Sequence, residues 1–344
     1  METERKLENR SNGGKPKLVR PGRFQSRQTL RWVLASLLLA LTASGAPPTD
    51  SAAKAFTPAK PSAATQIQKT SAERGVNPCN SPDPGFGAYE PWNRAPTHGQ
   101  MLLPKRSRVS VRGDFDVMFH FHGHDPARKE WVRVMDGVVF VGITLGVGSG
   151  KYESTFRDRA AFPKLVESVE EAVAKHAGRK KARARRIGLS AWSAGYGAVQ
   201  EILRHPSSRD RIDSVILLDG MHCGYAQQGS LNKPQIQPFI DFARRAATGN
   251  RFMLVSHSSI IPPGYASTTE TANFLIHELG GKPSKAKTRK GDPMGLELIA
   301  RFDRKGFHVR GFSGNDTMDH CAHLGFFRDV LTSYIRPRWQ APAP

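Results

Sequence analysis

Residues 186–203 read RIGLSAWSAGYGAVQEIL and contain the change of pattern that decides the fold. The first half is a short apolar run of the kind that forms a strand buried on both faces. The second half spaces Val199, Ile202 and Leu203 at helical intervals. Ser193 lies at the junction, among small residues. The stretch therefore predicts a strand, a tight turn that carries Ser193, and a helix.

The same alternation of strand and helix patterns extends from residue 115 to the C-terminal region. Short apolar runs predict strands at 115–121, 138–145, 186–192, 214–219, 251–256 and 308–312. Helical spacing predicts helices at 164–176, 196–204, 236–247, 269–279 and 324–335. Strands that alternate with helices indicate the α/β class, with a mostly parallel sheet covered by helices on both faces.

The N-terminal region differs in composition from the rest of the chain. The apolar run Trp32–Ala43 follows Arg31 and precedes small residues, as in a secretory signal. A helix that crosses a bilayer needs roughly 20 residues, so this run is short for a membrane span, although an uncleaved anchor remains the alternative. We assign residues 1–46 to a secretion signal or anchor, 47–95 to a disordered Pro-, Ala- and Ser-rich linker, and 96–344 to one domain. The protein is expected to be exported to the periplasm or the extracellular space, and membrane contact is expected only through an uncleaved N-terminal segment.

Neither the charge nor the glycine-rich segments indicate a nucleic-acid or nucleotide site. The formal net charge is +21, and residues 1–31 contribute nine Lys and Arg against three Glu. The basic run 178–186 contains no aromatic residues on which bases could stack, and both this run and the run 282–290 are interpreted as solvated loops. The Gly-rich stretch 146–152 ends in Tyr152, where a phosphate-binding loop needs Ser or Thr. We expect no specific nucleic-acid partner.

The pentapeptide 191–195, AWSAG, resembles the nucleophile elbow G-x-S-x-G of the α/β-hydrolases, with Ala191 at the first Gly position. The resemblance covers roughly residues 115–335 and implies an esterase- or lipase-like serine hydrolase on the α/β-hydrolase fold. In this superfamily Ser193 would be the nucleophile, and an acid and then a histidine would follow it along the chain. The implied reaction needs no cofactor, and the implied substrate is a small or polymeric ester, with an amide as the alternative.

The resemblance also indicates where the acid and the histidine should lie. His320 and His323 both stand after the last predicted strand, and we favour His320 because His323 can already belong to the final helix. The favoured acid is Asp219, at the end of the strand that follows the elbow helix, with Asp316 and Asp319 as alternatives.

An oxyanion hole needs two N–H donors aimed at the charge that develops on the attacked carbonyl oxygen. The resemblance assigns one donor to Ala194, directly after the nucleophile, and the other to the segment after the first long strand. That segment contains His122, Gly123 and His124. His124, or otherwise Gly123, is the expected second donor.

Two other classes of function remain open. His120, His122 and His124 alternate, so on an extended chain their rings would share one face and could bind zinc. The run is similar to the H-x-H-x-D-H signature of the metallo-β-lactamase fold, but its last two residues are reversed. Further ligands available to such a zinc-dependent hydrolase are His205, Asp219 and His257. Inactivation by a chelator would identify the zinc-dependent hydrolase. The other class that remains open is a non-catalytic, envelope-binding protein on a hydrolase scaffold.

The three cysteines are Cys79, Cys223 and Cys321. An odd number in an exported protein leaves at least one thiol free or in an intermolecular bridge. If Asp219 and His320 meet, the loops that carry Cys223 and Cys321 must be close together. We therefore predict a Cys223–Cys321 disulfide, with two buried free thiols as the alternative.

Overall fold

The structure is a computed structural model and describes residues 75, 77–106, 108–286, 295–314 and 316–340. Within these residues nine strands form one sheet. The strands are β1 Gln100–Leu102, β2 Asp114–Phe121, β3 Val139–Ile143, β4 Arg183–Trp192, β5 Ile212–Leu218, β6 Phe252–His257, β7 Ser284–Lys285, β8 Leu298–Arg304 and β9 Phe307–Phe312.

The order of the strands across the sheet is β1-β3-β2-β4-β5-β6-β9-β8-β7. The strands from β3 to β9 in this order are parallel to their neighbours. The outer strands β1, β8 and β7 pair antiparallel. The carboxyl ends of the central strands therefore meet at one edge of the sheet, where a parallel sheet of this class places its ligands.

Helices cover both faces of this sheet. They are α1 His124–Trp131, α2 Gly150–Phe156, α3 Ala161–His176, α4 Tyr196–Arg204, α5 Pro206–Arg209, α6 Lys233–Ala247, α7 Thr268–Glu278, α8 Thr317–Val330 and α9 Arg336–Gln340. Buried residues of α2, α3, α4, α6 and α7 form the apolar core on one face. Those of α1, α8 and α9 form the core on the other.

The central strands are buried on both faces because their side chains alternate between the two cores. In β5, Val215 and Leu217 belong to one core, and Ile216 and Leu218 belong to the other. All four side chains are fully buried. This is why the central strands appear in the sequence as continuous apolar runs.

The fold class predicted from the sequence, α/β with a mostly parallel sheet and helices on both faces, is confirmed by this topology. All six predicted strands are present, as β2, β3, β4, β5, β6 and β9. Three strands were not predicted: β1 and β7 are short, and β8 has alternating exposure. A strand of two or three residues is too short to show a pattern, and a strand with alternating exposure lacks the continuous apolar run that identifies the central strands.

Residues 77–95 are packed on the domain, so their assignment to a disordered linker was wrong. Tyr89 is fully buried. The Asp83 carboxylate accepts two hydrogen bonds from the Arg128 guanidinium in α1, of 2.9 and 2.6 Å. We call residues 77–95 the N-terminal strap. Individual side chains anchor the strap, together with backbone hydrogen bonds from Glu90 and Asn93 to the region of β1, and such anchors leave no periodic pattern in the sequence.

The predicted Cys223–Cys321 disulfide is also wrong, because Cys321 pairs with Cys79 of the strap, with a Cα–Cα distance of 5.0 Å. Cys223 is a free, buried cysteine. Its side chain belongs to the core on the α6 and α7 face, and burial raises the pKa of its thiol to about 11. Cys223, four residues after Asp219, is therefore buried in this core, whereas Cys321 on α8 contacts the strap, and the two cysteines do not pair.

The proposed signal or anchor at residues 1–46 lies outside the described residues. Among the helices that the structure describes, none combines the length and the apolar character needed to cross a membrane. All of the described residues fall in one compact unit, Lys54–Pro344.

Candidate active site at the carboxyl edge of the sheet

Ser193 lies where the sequence predicted it, on a tight turn between a strand and a helix. It directly follows β4, and a short 3₁₀ turn, Ser193–Gly195, leads into α4. Its φ angle is 49°, in the left-handed region that few residues other than glycine adopt. Backbone strain of this kind persists only where the surrounding structure enforces it, and it is concentrated at functional sites.

Two glycines allow the chain to pass close to this turn. A Cβ atom at Gly195 would overlap the carbonyl oxygen of Phe121 at the end of β2. A Cβ atom at Gly220 would lie 2.7 Å from the backbone nitrogen of Ser193 and closer still to its carbonyl oxygen. The two glycines therefore let the end of β2 and the loop after β5 hold the Ser193 turn from both sides.

Gly220→Ala should lower the free energy of unfolding by about 1–3 kcal/mol, because the added methyl group meets rigid backbone. Gly224→Ala, in the same loop, is the matched control, since its Cβ would have Gln235 Oε1 as nearest atom at 3.7 Å, an ordinary contact. Chemical denaturation of both variants measures the difference. Equal stabilities of the two variants would contradict the close packing described for Gly220.

Asp219 is a buried carboxylate at the end of β5, beside the elbow. Trp192 and Leu218 are paired in the sheet, so Ser193 and Asp219 follow neighbouring positions. Asp219 Oδ1 accepts hydrogen bonds from the Ser258 backbone N–H at 2.8 Å and from the Thr268 hydroxyl at 2.6 Å. Its φ angle is 44°, so this residue too has left-handed backbone.

The ionised form of Asp219 is strongly favoured. Burial alone would raise the pKa of this carboxyl group. The nearby imidazoles of His323 and His320 and the Thr268 hydrogen bond outweigh burial and hold the pKa well below its usual range. Asp219 is therefore a carboxylate that only accepts hydrogen bonds.

His320 is the imidazole that reaches this carboxylate. It lies in the first turns of α8, and its Nδ1 donates a hydrogen bond of 2.7 Å to Asp219 Oδ2. His323 Nε2 is 3.9 Å from the same oxygen, which is too far for a hydrogen bond. The side chain of His320 is 23% exposed and that of His323 is 0% exposed. Of the two histidines named from the sequence, only His320 is both bonded to Asp219 and accessible.

Trp192 holds His320 by stacking and by a hydrogen bond. The indole ring stacks on the His320 ring with centroids 4.7 Å apart, and its Nε1 donates a 3.0 Å hydrogen bond to the His320 carbonyl oxygen. The indole ring also stacks on His122, with centroids 5.1 Å apart. The residue before the serine in the elbow therefore positions the histidine, a role that the sequence pattern did not indicate.

Ser193, Asp219 and His320 line one cavity of about 300 Å³. It is lined by Ser193, Asp219, His222, Ser258, Ile260, Pro262, Tyr265, Thr268, Asp316, Thr317 and His320. Ser193 and His320 thus face the same space, although no hydrogen bond joins them among the described residues. In free enzymes such catalytic hydrogen bonds are often long and shorten only when a substrate binds.

The alternative acids lie near this site but have other contacts. Asp316 lines the cavity, and its side chain caps α8 by accepting from the backbone N–H of Asp319. Asp319 is fully buried in the first turn of α8. Of the three acids named from the sequence, Asp219 is the one that accepts the imidazole hydrogen bond of His320.

The two expected oxyanion donors lie at the starts of helical segments, but neither is among the residues that line the cavity. Ala194 is the second residue of the 3₁₀ turn, and His124 is the first residue of α1. The backbone N–H groups in the first turn of a helix have no partner within that helix. The N–H of His124 makes one long hydrogen bond, 3.5 Å, to the Thr144 hydroxyl. The assignment of Ala194 and His124 stays a prediction.

The three alternating histidines do not converge on a common point. The strand ends at Phe121, and His122 has a φ angle of 70°, so the segment is not extended beyond that point. Each ring has its own partner: Ser190 for His120, Tyr152 for His122 and Thr144 for His124. Within the described part of the chain, no group of three or more His, Cys, Asp or Glu residues is arranged to hold a metal ion.

The sequence did not identify several residues of the cavity. His222 follows Asp219 by three residues, and this proximity could have indicated it. Thr268 is 49 residues from Asp219 along the chain, and nothing in the sequence connects the two. Tyr265 also lines the cavity, whereas His257, named from the sequence as a possible zinc ligand, is buried and hydrogen-bonded to Thr269.

Solved structures with a similar chain path are distant in sequence. Poly(3-hydroxybutyrate) depolymerase from Bordetella parapertussis is 14% identical, with a TM-score of 0.40 over 71% of this chain and 84% of that chain. The feruloyl esterase module from Clostridium thermocellum, complexed with sinapinate, is 11% identical, with a TM-score of 0.41 over 74% and 90%. An IroE-like serine hydrolase from Shewanella oneidensis is 12% identical, with a TM-score of 0.37 over 70% and 79%. No protein-family model and no curated protein matches the sequence. Similarity this remote does not bear on substrate or reaction.

Proposed function

We propose that this protein is an exported serine hydrolase that cleaves a carboxylic ester, with Ser193 as nucleophile, His320 as base and Asp219 as the acid that orients it. The observation that carries the proposal is the 2.7 Å hydrogen bond between His320 and Asp219, in the wall of the cavity that Ser193 also lines. A serine hydroxyl becomes a useful nucleophile only beside a base that a third group orients.

The hydrogen bond fixes which nitrogen of His320 is free to act. The Asp219 carboxylate can only accept, so the ring proton of neutral His320 is on Nδ1 and the lone pair is on Nε2. Nε2 takes the Ser193 proton as Oγ attacks the ester carbonyl carbon. The imidazolium formed in this step is stabilised by the Asp219 charge.

The attack produces a tetrahedral intermediate with a negative carbonyl oxygen, and the reaction then proceeds through two further stages. The N–H groups of Ala194 and His124 are the proposed donors to the negative carbonyl oxygen. His320 gives its new proton to the departing alkoxide, and an acyl-Ser193 ester remains. His320 takes a proton from water as the water attacks this ester, and it then gives that proton to Ser193 Oγ as the C–O bond breaks, which releases the carboxylic acid and free Ser193. Ester rather than amide cleavage is proposed by analogy with the scaffold alone.

Export is proposed from two features of the chain. The first is the basic flank and apolar run that end near residue 46. The second is the Cys79–Cys321 disulfide, because such bonds persist mainly in oxidising compartments.

Labelling with a fluorophosphonate probe tests the proposed function. Such a probe reacts with an activated serine, so the folded protein should gain one adduct, which peptide mass spectrometry should assign to Ser193. Ser193→Ala should remain unlabelled, and pre-treatment with a chelator should leave labelling of the wild type unchanged. A folded wild type that stays unlabelled would sink the proposal and favour a binding role for the scaffold.

A further inference from the structure

His222 is an imidazole in the cavity wall to which the proposed reaction assigns no role. It lies in the loop after β5, three residues beyond Asp219, and its ring forms part of the cavity wall. Tyr265 and Tyr196 meet this ring edge to face, with centroids 5.1 and 5.8 Å away. These contacts fix the plane of the imidazole.

A second contact fixes the position of the ring proton. His222 Nδ1 is 3.0 Å from the carbonyl oxygen of Ala266. A carbonyl oxygen can only accept, so Nδ1 carries the hydrogen. Burial lowers the pKa of His222, which favours the neutral ring. In that tautomer Nε2 presents only a lone pair.

That lone pair has no partner within the described residues. His222 Nε2 makes no hydrogen bond there, and it is not one of the polar atoms that are buried without a partner. The Nε2 atom of His323, in contrast, is such a buried atom. The accessible lone pair of His222 is thus a hydrogen-bond acceptor at the wall of the cavity.

The remaining wall combines an apolar part, suited to a small apolar group, with the polar residues Ser258, Asp316 and Thr317. Ile260, Pro262 and Tyr265 line the same cavity, and Tyr265 is 43% exposed. The volume of the cavity, about 300 Å³, is at the lower end of the range for small-molecule sites. In such sites a few placed polar groups on apolar walls decide which ligand binds.

We propose that His222 is a specificity-determining residue: its Nε2 accepts a hydrogen bond from a hydroxyl or N–H group of the substrate. The ester that this site prefers then carries such a donor on a small apolar or aromatic portion that fills the cavity. The inference rests on the proposed function, because it concerns the substrate of the same site.

His222 is not an alternative base for Ser193. The carboxylate of Asp219 bonds to His320, whereas the N–H of His222 is committed to a backbone carbonyl. A neutral carbonyl does not stabilise an imidazolium as a carboxylate does. His222 is therefore placed to recognise a substrate.

Matched pairs of methyl esters that differ only in one hydroxyl group test the proposal. Suitable pairs are methyl 3-(4-hydroxyphenyl)propionate with methyl 3-phenylpropionate, and methyl 3-hydroxybutyrate with methyl butyrate. The wild type should prefer the hydroxylated member of at least one pair by about tenfold or more in kcat/KM, because each lost hydrogen bond leaves a polar group unpaired.

In His222→Phe this preference should fall below about threefold, mainly because KM of the hydroxylated ester rises. The lost hydrogen bond stabilises the bound ester and the transition state equally, so kcat should change little. His222→Gln, which keeps an acceptor oxygen near the position of Nε2, should retain part of the preference. His205→Phe, at a ring outside the cavity lining, should keep all of it. The readout is a ratio between two esters, so a general loss of rate does not imitate the effect.

Two results would overturn the proposal: a wild type with no preference in either pair, or a preference that His222→Phe leaves unchanged. Failure of the proposed function itself has a different signature, because Ser193 of the wild type would then not react with fluorophosphonate.

Discussion

His320→Asn should lower kcat/KM on an ester by about 10⁴- to 10⁶-fold, whereas His323→Asn should lower it less than about tenfold. The loss at His320 is large because the serine and its base act as a unit, and removing either costs about as much as removing both. His323 should matter little to the chemistry because its side chain is 0% exposed, and its Nδ1 is hydrogen-bonded to the Ser256 hydroxyl.

The two variants control for each other, since both place an amide where an imidazole lay on the same helix. Hydrolysis of 4-nitrophenyl acetate gives the rates, and circular dichroism shows whether each protein is folded. Asparagine at 323 can still bond to Ser256, so this variant should fold. A loss at His323 that equals or exceeds the loss at His320 would refute the assignment of the base.

The candidate site was predictable to the extent that it depends on neighbouring strand ends. Ser193 and Asp219 each follow an apolar run, and the carboxyl ends of adjacent parallel strands meet at one edge of the sheet. The choice of His320 over His323 rested on how far the last helix extends. The structure starts α8 at Thr317, so both histidines are helical, and position on the helix rather than loop membership distinguishes them.

The contacts around Asp219 could not be predicted, because they join distant parts of the chain. Thr268 caps the carboxylate from the start of α7, and Ser258 does so from the loop after β6. A hydroxyl or a backbone N–H has no signature in the sequence that names its acceptor. The same holds for Trp192, whose stacking on His320 depends on where α8 packs.

The strap was missed for a related reason. Composition identifies segments that cannot repay the entropy of ordering by burying apolar surface. Residues 77–95 bury Pro78 and Tyr89 and pack Phe86 and Trp92 on the core, but these residues are scattered along the segment. The Asp83–Arg128 pair and one disulfide also fix the segment to the domain. A segment held by a few long-range anchors resembles a linker in its composition.

Removing the Cys79–Cys321 disulfide should lower the free energy of unfolding by about 2–5 kcal/mol. The bond closes a loop with a sequence separation of 242 residues, and the entropy that a cross-link removes from the unfolded chain grows with the size of the loop. The double variant Cys79→Ser, Cys321→Ser should therefore denature at a lower concentration of urea than the wild type.

Two comparisons test whether the Cys79–Cys321 bond is the one whose loss lowers the free energy of unfolding. A reductant should shift the wild type to the denaturation midpoint of the double variant and should leave the double variant unchanged. Cys223→Ala should respond to reductant as the wild type does, because Cys223 is free. If Cys223→Ala instead abolished the response, the pairing first expected from the sequence would be restored. The strap would then lose its covalent anchor to the helix that carries His320.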